Sequence, residues 1–302
     1  MTARIAIWGA TQGGKTTFLY ALAPATFRSR AKYGKWEVSG ADRASEEFLD
    51  VGTHTLVHEG RFPEPTRQTL AYRWRLSGRP PRRGARSRPR RRTRFEIEVL
   101  DAPGGTYDAS AQAGGDDWSR MLRYTAGCEG MVFLHDPGRT NNGKYLLAAL
   151  PYLVEEVGRR NQLDHGQLPH HLAVCVAKLD DPAVLGAVRG RGLVTQLTPF
   201  SVPQVTDTRA WFESMAEEDV IGAIATYFAP KRVHYFATSA IGFRTRLNGA
   251  IDLADYWPNV EERDGEQRIV GRTYPVNVLE PLRWLALQAP QRPREALPEQ
   301  GP

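Results

Sequence analysis

At 302 residues, 41% hydrophobic and 25% charged, the chain is long enough for one large α/β domain with insertions and has the make-up of a globular protein. No apolar run approaches the ~20 residues of a membrane-spanning helix, and strand-like sequence begins at Arg4 with no room for a signal peptide, so a cytoplasmic protein is expected. The net charge of +6 hints at nucleic acid, but nine arginines fall within residues 79–94, and without them the chain carries 31 basic against 34 acidic residues. The two cysteines, Cys128 and Cys175, sit in or beside apolar runs and are expected as buried free thiols; the seven histidines show no metal-ligand spacing.

The first predicted element is a buried strand, Arg4-Ile5-Ala6-Ile7-Trp8, which runs into Gly9-Ala10-Thr11-Gln12-Gly13-Gly14-Lys15-Thr16-Thr17. That stretch matches the phosphate-loop pattern G-x-x-x-x-G-K-[ST] at every fixed position, and Phe18, Leu19 and Leu22 then recur at helical spacing as far as Pro24. Glycines allow the backbone to wrap a polyphosphate with successive N–H groups pointing inward, and a helix N-terminus adds a favourable dipole. Gly9, Gln12, Gly13, Gly14 and Thr17 are therefore expected around phosphate, with Lys15 reaching the β- and γ-phosphates and the Thr16 hydroxyl on Mg²⁺.

Residues 25–60 read as an insertion without assignable chemistry, containing a short strand at 35–38 and a helical stretch near 41–57. A turn-rich loop, Gly60-Arg61-Phe62-Pro63-Glu64-Pro65-Thr66, then leads into a strand at 70–76. A threonine so placed uses its hydroxyl on Mg²⁺ and its N–H on a γ-phosphate, which makes Thr66 the candidate sensor of nucleotide state. Residues 77–94 are arginine-rich, punctuated by Gly and Pro, and lack aromatic residues for base stacking; a disordered loop that docks a polyanion or an acidic surface is expected, or else a solvated spacer.

Phe95-Glu96-Ile97-Glu98-Val99-Leu100 is the next strand, and it delivers Asp101-Ala102-Pro103-Gly104, a D-x-x-G turn whose aspartate is expected to hold Mg²⁺ and whose glycine N–H is expected to meet a γ-phosphate. Residues 105–117 are small and polar, and a helix begins at Trp118. A buried strand at 130–136 precedes a long helix from about 143 that Pro151 should interrupt. The apolar run 172–176 ends in Ala177-Lys178-Leu179-Asp180. In an [NT]-K-x-D element the Lys stem covers the purine and the Asp accepts from the N1–H and 2-amino group of guanine, donors that adenine lacks, so Lys178 and Asp180 are the expected base readers. Ala177 departs from that pattern and removes a side-chain tie to the phosphate loop.

Residues 181–215 read as irregular, followed by a helix at 217–228 and a last strand at 232–237 that ends in Thr238-Ser239-Ala240, where the Ala240 N–H is placed to meet guanine O6. Glu261-Glu262-Arg263-Asp264-Gly265-Glu266-Gln267-Arg268 signals an exposed hairpin, Asn277 is expected to cap a closing helix, and the Pro-rich tail 289–302 reads as disordered.

Five elements in this order, Gly9 to Thr16, Thr66, Asp101 to Gly104, Ala177 to Asp180 and Ser239-Ala240, resemble the Ras-like branch of P-loop GTPases over residues 1 to about 240. The resemblance implies an α/β fold with a mostly parallel sheet, one antiparallel edge strand and helices on both faces, forming a single domain over 1–288 with insertions at 25–60, 77–94 and 241–273. It also implies GTP or GDP as ligand, Mg²⁺ as cofactor, catalytic roles for Lys15, Thr66 and Gly104, metal ligation by Thr16, Thr66 and Asp101, and a protein effector or activator. The Pro63-Glu64-Pro65-Thr66 switch, the Asp-Ala-Pro-Gly turn and the long insertions are similar to the bacterial double-GTPases proposed to act in conflict or defence systems. Where many members of the branch place a water-orienting Gln, this chain has Gly105, which implies slow hydrolysis unless Asp108, Gln112, Arg61 or a partner substitutes. The alternatives are a nucleotide-binding interaction module that scarcely hydrolyses and docks through its arginine loop, and an ATPase.

Overall fold

The computed structural model describes residues 2–10, 13–28, 36–66, 69–78, 93–101, 116–139 and 143–288. Gln12, Gly104, Gly105, Asp108, Gln112, most of the arginine-rich stretch and the tail 289–302 lie outside the described residues.

Seven strands form the main sheet: β1 (Thr2–Gly9), β2 (Trp36–Gly40), β3 (Leu70–Gly78), β4 (Thr93–Asp101), β5 (Gly130–His135), β6 (His171–Val176) and β9 (Val233–Ala237). Their order is β2-β3-β4-β1-β5-β6-β9, with every pair from β4 to β9 parallel. Because parallel strands are joined by crossovers, helices cover both faces, and the central strands β5 and β6 read as apolar runs, whereas β4 alternates Phe95, Ile97 and Val99 with Glu96 and Glu98. Within β1, Ile5 and Ile7 face one buried layer and Ala6 and Trp8 the other. The first layer holds α1 (Lys15–Tyr20), α2 (Leu22–Arg28), α3 (Arg43–Thr53) and α9 (Leu279–Gln288). The second holds α4 (Asp116–Ala126), α5 (Lys144–Arg159), α6 (Pro182–Gly190), α7 (Thr208–Glu213) and α8 (Glu218–Tyr227). Two small hairpins, β7 (Val194–Thr195) with β8 (Gln204–Val205) and β10 (Val260–Arg263) with β11 (Glu266–Ile269), complete the fold. Cys128 and Cys175 are free and buried, as the sequence led us to expect.

The sheet is mostly parallel, but the antiparallel strand is not at its edge. β3 runs against both neighbours, and the insertion supplies β2, which pairs Trp36 to Gly40 along the free side of β3 and becomes the edge itself. Pairing in this way replaces the long open edge of β3 with the shorter edge of β2. Trp36 packs against Phe95 and under the Arg283 guanidinium, and a side chain on Gly78 would collide with its ring.

Four helix readings are also corrected. Pro24 does not end the first helix: after a turn at Ala21, Pro24 lies in the first turn of α2, where backbone N–H groups have no helical partner to lose. Pro151 does not interrupt α5; it sits on the exposed face, while Leu146, Leu150, Leu153 and Val157 hold the opposite face in the core. Residues 181–215 are not irregular throughout, because Pro182 is the first residue of α6 and Asp181 caps it, accepting from Ala183 N at 2.8 Å and Val184 N at 3.3 Å. Asn277 does not cap the closing helix; its Nδ2 donates to Ala237 O at 2.8 Å, fastening the chain before α9 to the end of β9.

Candidate functional site

Parallel pairing puts the C-terminal ends of β1, β4, β5, β6 and β9 along one edge of the sheet, where Asp101 ends β4 and the described residues after β1, β6 and β9 line one cavity. After β1 the backbone folds back tightly: Gly13 N donates to Ala10 O at 2.9 Å, and Gly14 takes φ +83°, a left-handed conformation that glycine adopts without strain. Lys15 is buried and its ammonium donates to Gly9 O at 2.7 Å and Ala10 O at 3.1 Å.

Thr16, Thr66 and Asp101 meet although they are far apart in sequence. The Thr16 and Thr66 hydroxyls are 2.6 Å apart, and they donate to Asp101 Oδ2 at 3.3 and 3.1 Å. The second carboxylate oxygen of Asp101 is buried with no hydrogen-bond partner among the described residues. Burial pushes the Asp101 carboxyl up from its usual range, against the Thr66 and Thr16 hydroxyls and the Lys15 charge, which pull it down. Two hydroxyls and one carboxylate are hard oxygen donors of the kind Mg²⁺ takes when phosphate and water supply its remaining ligands, so this group fits that ion. Tyr20 and Tyr72 flank it; burial and the Asp101 charge raise both phenols, Tyr72 to about 12.

At the other end, Asp180 is buried, and its Oδ1 accepts a short hydrogen bond from the Ser239 hydroxyl, which itself accepts from Gly242 N at 2.7 Å. Burial lifts the Asp180 carboxyl to about 6, with the Ser239 bond opposing it. Lys178 takes φ +57°, and its ammonium lies 2.7 Å from Asp136 Oδ2, a fully buried carboxylate just past β5. Ala177 has no side chain with which to tie this loop. The Lys178–Asp136 pair and the bond from Ala177 N to His135 O, 2.8 Å, hold it against β5 instead.

Both ends open into one cavity of about 690 Å³. Gly13, Gly14, Lys15, Thr16, Thr17 and Thr66 line it, as do Lys178, Asp180 and Ala240. Gly9, Asp101 and Ser239 do not line it. Gly9 carries the carbonyl that holds Lys15, Asp101 lies beneath the two threonines, and Ser239 acts through Asp180. Arg61 is exposed, outside the cavity lining, and its backbone bridges to Arg268.

Sequence reasoning missed several lining residues. Arg139 reaches the cavity beside Lys178, with its guanidinium 3.5 Å from Asp136 Oδ2, and Asn259, Val260 and Gln267 reach it from the β10–β11 hairpin. The Asp-Pro-Gly turn before Arg139 marked a loop but not its direction, and nothing local to the hairpin signals where it docks. The chain matches no protein-family model and no curated protein, so motif and geometry carry the functional reading.

Proposed function

We propose that this chain is a guanine-nucleotide-binding switch protein, a Ras-like P-loop GTPase that binds GTP with Mg²⁺ and hydrolyses it slowly to GDP. One observation carries the reading: a single cavity of about 690 Å³ is lined by Lys15, Thr16 and Thr66 at one end and by Lys178, Asp180 and Ala240 at the other. A triphosphate and its purine need both ends at once. Backbone N–H groups around Gly13 and Gly14 cradle phosphate, and Lys15 exchanges the loop carbonyls for β- and γ-phosphate oxygens. Thr16, Thr66 and Asp101 would hold Mg²⁺, which when bound neutralises charge on the phosphate oxygens. Thr66 reports the γ-phosphate because its loop gains that contact only in the triphosphate state. Asp180 reads guanine by accepting two hydrogen bonds, and the Lys178 stem covers the ring.

Titration calorimetry on nucleotide-free protein tests the proposal. In Mg²⁺, GDP and a non-cleavable GTP analogue should bind, with ATP weaker by roughly 5- to 150-fold, the equivalent of 1–3 kcal/mol for leaving Asp180 unpaired. No heat with either guanine nucleotide refutes the reading.

A second reading, a nucleotide-binding interaction module with negligible turnover, is favoured by one residue: Gly105 follows Gly104 and has no side chain to orient water. Single-turnover GTP hydrolysis with and without K⁺ separates the two, since no turnover in either condition leaves the module.

A further inference from the structure

The segment after β9 runs as an unbroken series of contacts from one end of the cavity to the other. At the base end, Ser239 and Val276 exchange backbone hydrogen bonds at 3.0 and 2.8 Å, Tyr274 N donates to Ile241 O at 2.9 Å, and the Tyr256 hydroxyl donates to Asp180 O at 2.8 Å. At the Thr66 end, Ile269 N donates to Gly60 O at 2.7 Å and the Thr273 hydroxyl donates to Leu56 O at 2.9 Å. The hairpin thus grips the loop that carries Thr66 from its start.

Asn259 joins the two ends. It is fully buried, its Nδ2 donates to Ile241 O at 3.4 Å and Gly242 O at 3.3 Å, and its Oδ1 accepts from Gly271 N at 2.9 Å. Its own carbonyl accepts from Val270 N at 3.1 Å, next to the residue that holds Gly60. Gly242 N in turn donates to the Ser239 hydroxyl bonded to Asp180. Two carbonyls and one N–H around a single amide call for Asn: Asp has no donor for the carbonyls, and an apolar isostere satisfies none of the three. The packing is equally specific, because a side chain on Gly271 would come within 2.4 Å of Asn259 Oδ1 and one on Gly242 within 1.9 Å of Tyr274 O.

We infer that Asn259 is a positioning residue that locks the base-contacting turn 239–242 and, through the β10–β11 hairpin, the loop 60–66, so that order at either end of the cavity enforces order at the other. Its consequence for nucleotide binding rests on the proposed guanine-nucleotide reading, whereas the linkage is a property of the ligand-free chain. Neither loop can open without straining the element that both share, and such linkage is reciprocal.

Hydrogen exchange read by mass spectrometry on ligand-free protein tests this, with Asn259→Ala and, for a change at the opposite end that keeps side-chain shape, Thr273→Val. Asn259→Ala should speed exchange in peptides covering 239–246 and also in those covering 54–66, whereas the Asn259 side chain bonds to Ile241, Gly242 and Gly271. Thr273→Val, which loses only the bond to Leu56, should speed exchange in 239–246, and it carries the test if the Ala variant does not fold. A rise confined in each variant to the residues bonded to the altered side chain overturns the inference. Calorimetry with Mg²⁺ and GDP should show affinity weakened about tenfold in both variants. If the variants show linked exchange but the wild type binds no guanine nucleotide, the proposed function fails and the linkage stands; if the wild type binds but exchange in the variants is unlinked, the linkage alone fails.

Discussion

Asp180 is held at odds with its own charge. Its pKa is about 6 in the folded chain against 3.8 for a free carboxyl, so the folded state binds the proton more tightly than the unfolded one, and this residue's contribution to stability falls as pH rises from about 4 through about 6. His135 and His170 act in the opposite sense. Burial lowers both to about 4 from 6.5, so they contribute stability above pH 6.5 that is lost as pH falls toward 4. A whole-protein acid profile therefore mixes opposing slopes, and the difference between wild type and Asp180→Asn isolates one of them. At pH 7 the variant should be the more stable ligand-free protein, by up to about 3 kcal/mol at ~1.4 kcal/mol per pKa unit, and the gap should close toward pH 4 in denaturant melts. The same substitution should abolish guanine preference, and wild-type affinity for GDP should drop as pH falls below about 6, because a protonated carboxyl cannot accept both guanine donors. Asp101 invites a parallel experiment. Its Oδ1 is buried without a partner among the described residues, so Asp101→Asn should fold at least as stably as wild type, yet calorimetry with and without Mg²⁺ should find that the ion no longer strengthens nucleotide binding.

Elements report where local sequence suffices and where it does not. Pro151 costs α5 one backbone hydrogen bond on its solvent side, so Pro151→Ala should raise stability by about 1–3 kcal/mol in a thermal melt without altering nucleotide binding. The sequence overstated that proline because a missing bond on an exposed face is replaced by water, while Leu146, Leu150 and Leu153 keep the helix in place. Residues 181–215 were read as irregular for a related reason: whether a proline breaks or begins a helix depends on the cap before it, and Asp181 is that cap for Pro182. Strands β5 and β6 were legible because burial on both faces leaves continuous apolar runs, and β4 because Phe95, Ile97 and Val99 alternate with Glu96 and Glu98 before Leu100. Thr16, Thr66 and Asp101 were legible one by one, from motif chemistry tied to the ends of strands. The position of β2 was not, because pairing of Trp36 with Gly78 is a long-range choice that no local pattern encodes. Docking of β10–β11 on Gly60 was hidden in the same way, and with it Asn259, whose partners Ile241, Gly242 and Gly271 are all backbone groups.

At the scale of the molecule, one sheet separates two cores, and the layer that contains Ile5, Ile7, Val132 and Leu134 is closed by α9 through Leu279, Leu282 and Leu285. Trp284 stacks on His234 at 5.4 Å and meets His171 edge-on at 5.8 Å, which spreads α9 across β6 and β9. Leu282→Ala should therefore cost about 2–5 kcal/mol and lower the melting transition of the whole molecule rather than fray one helix. Among the residues that α9 shields, Ile5 and Ile7 belong to a strand translated far earlier. Without α9, that flank of the layer lacks the cover of Leu279, Leu282 and Leu285. A polypeptide that stops short of residue 279 should therefore be cut readily by proteases, and resistance should come only once residues 279–288 are in place.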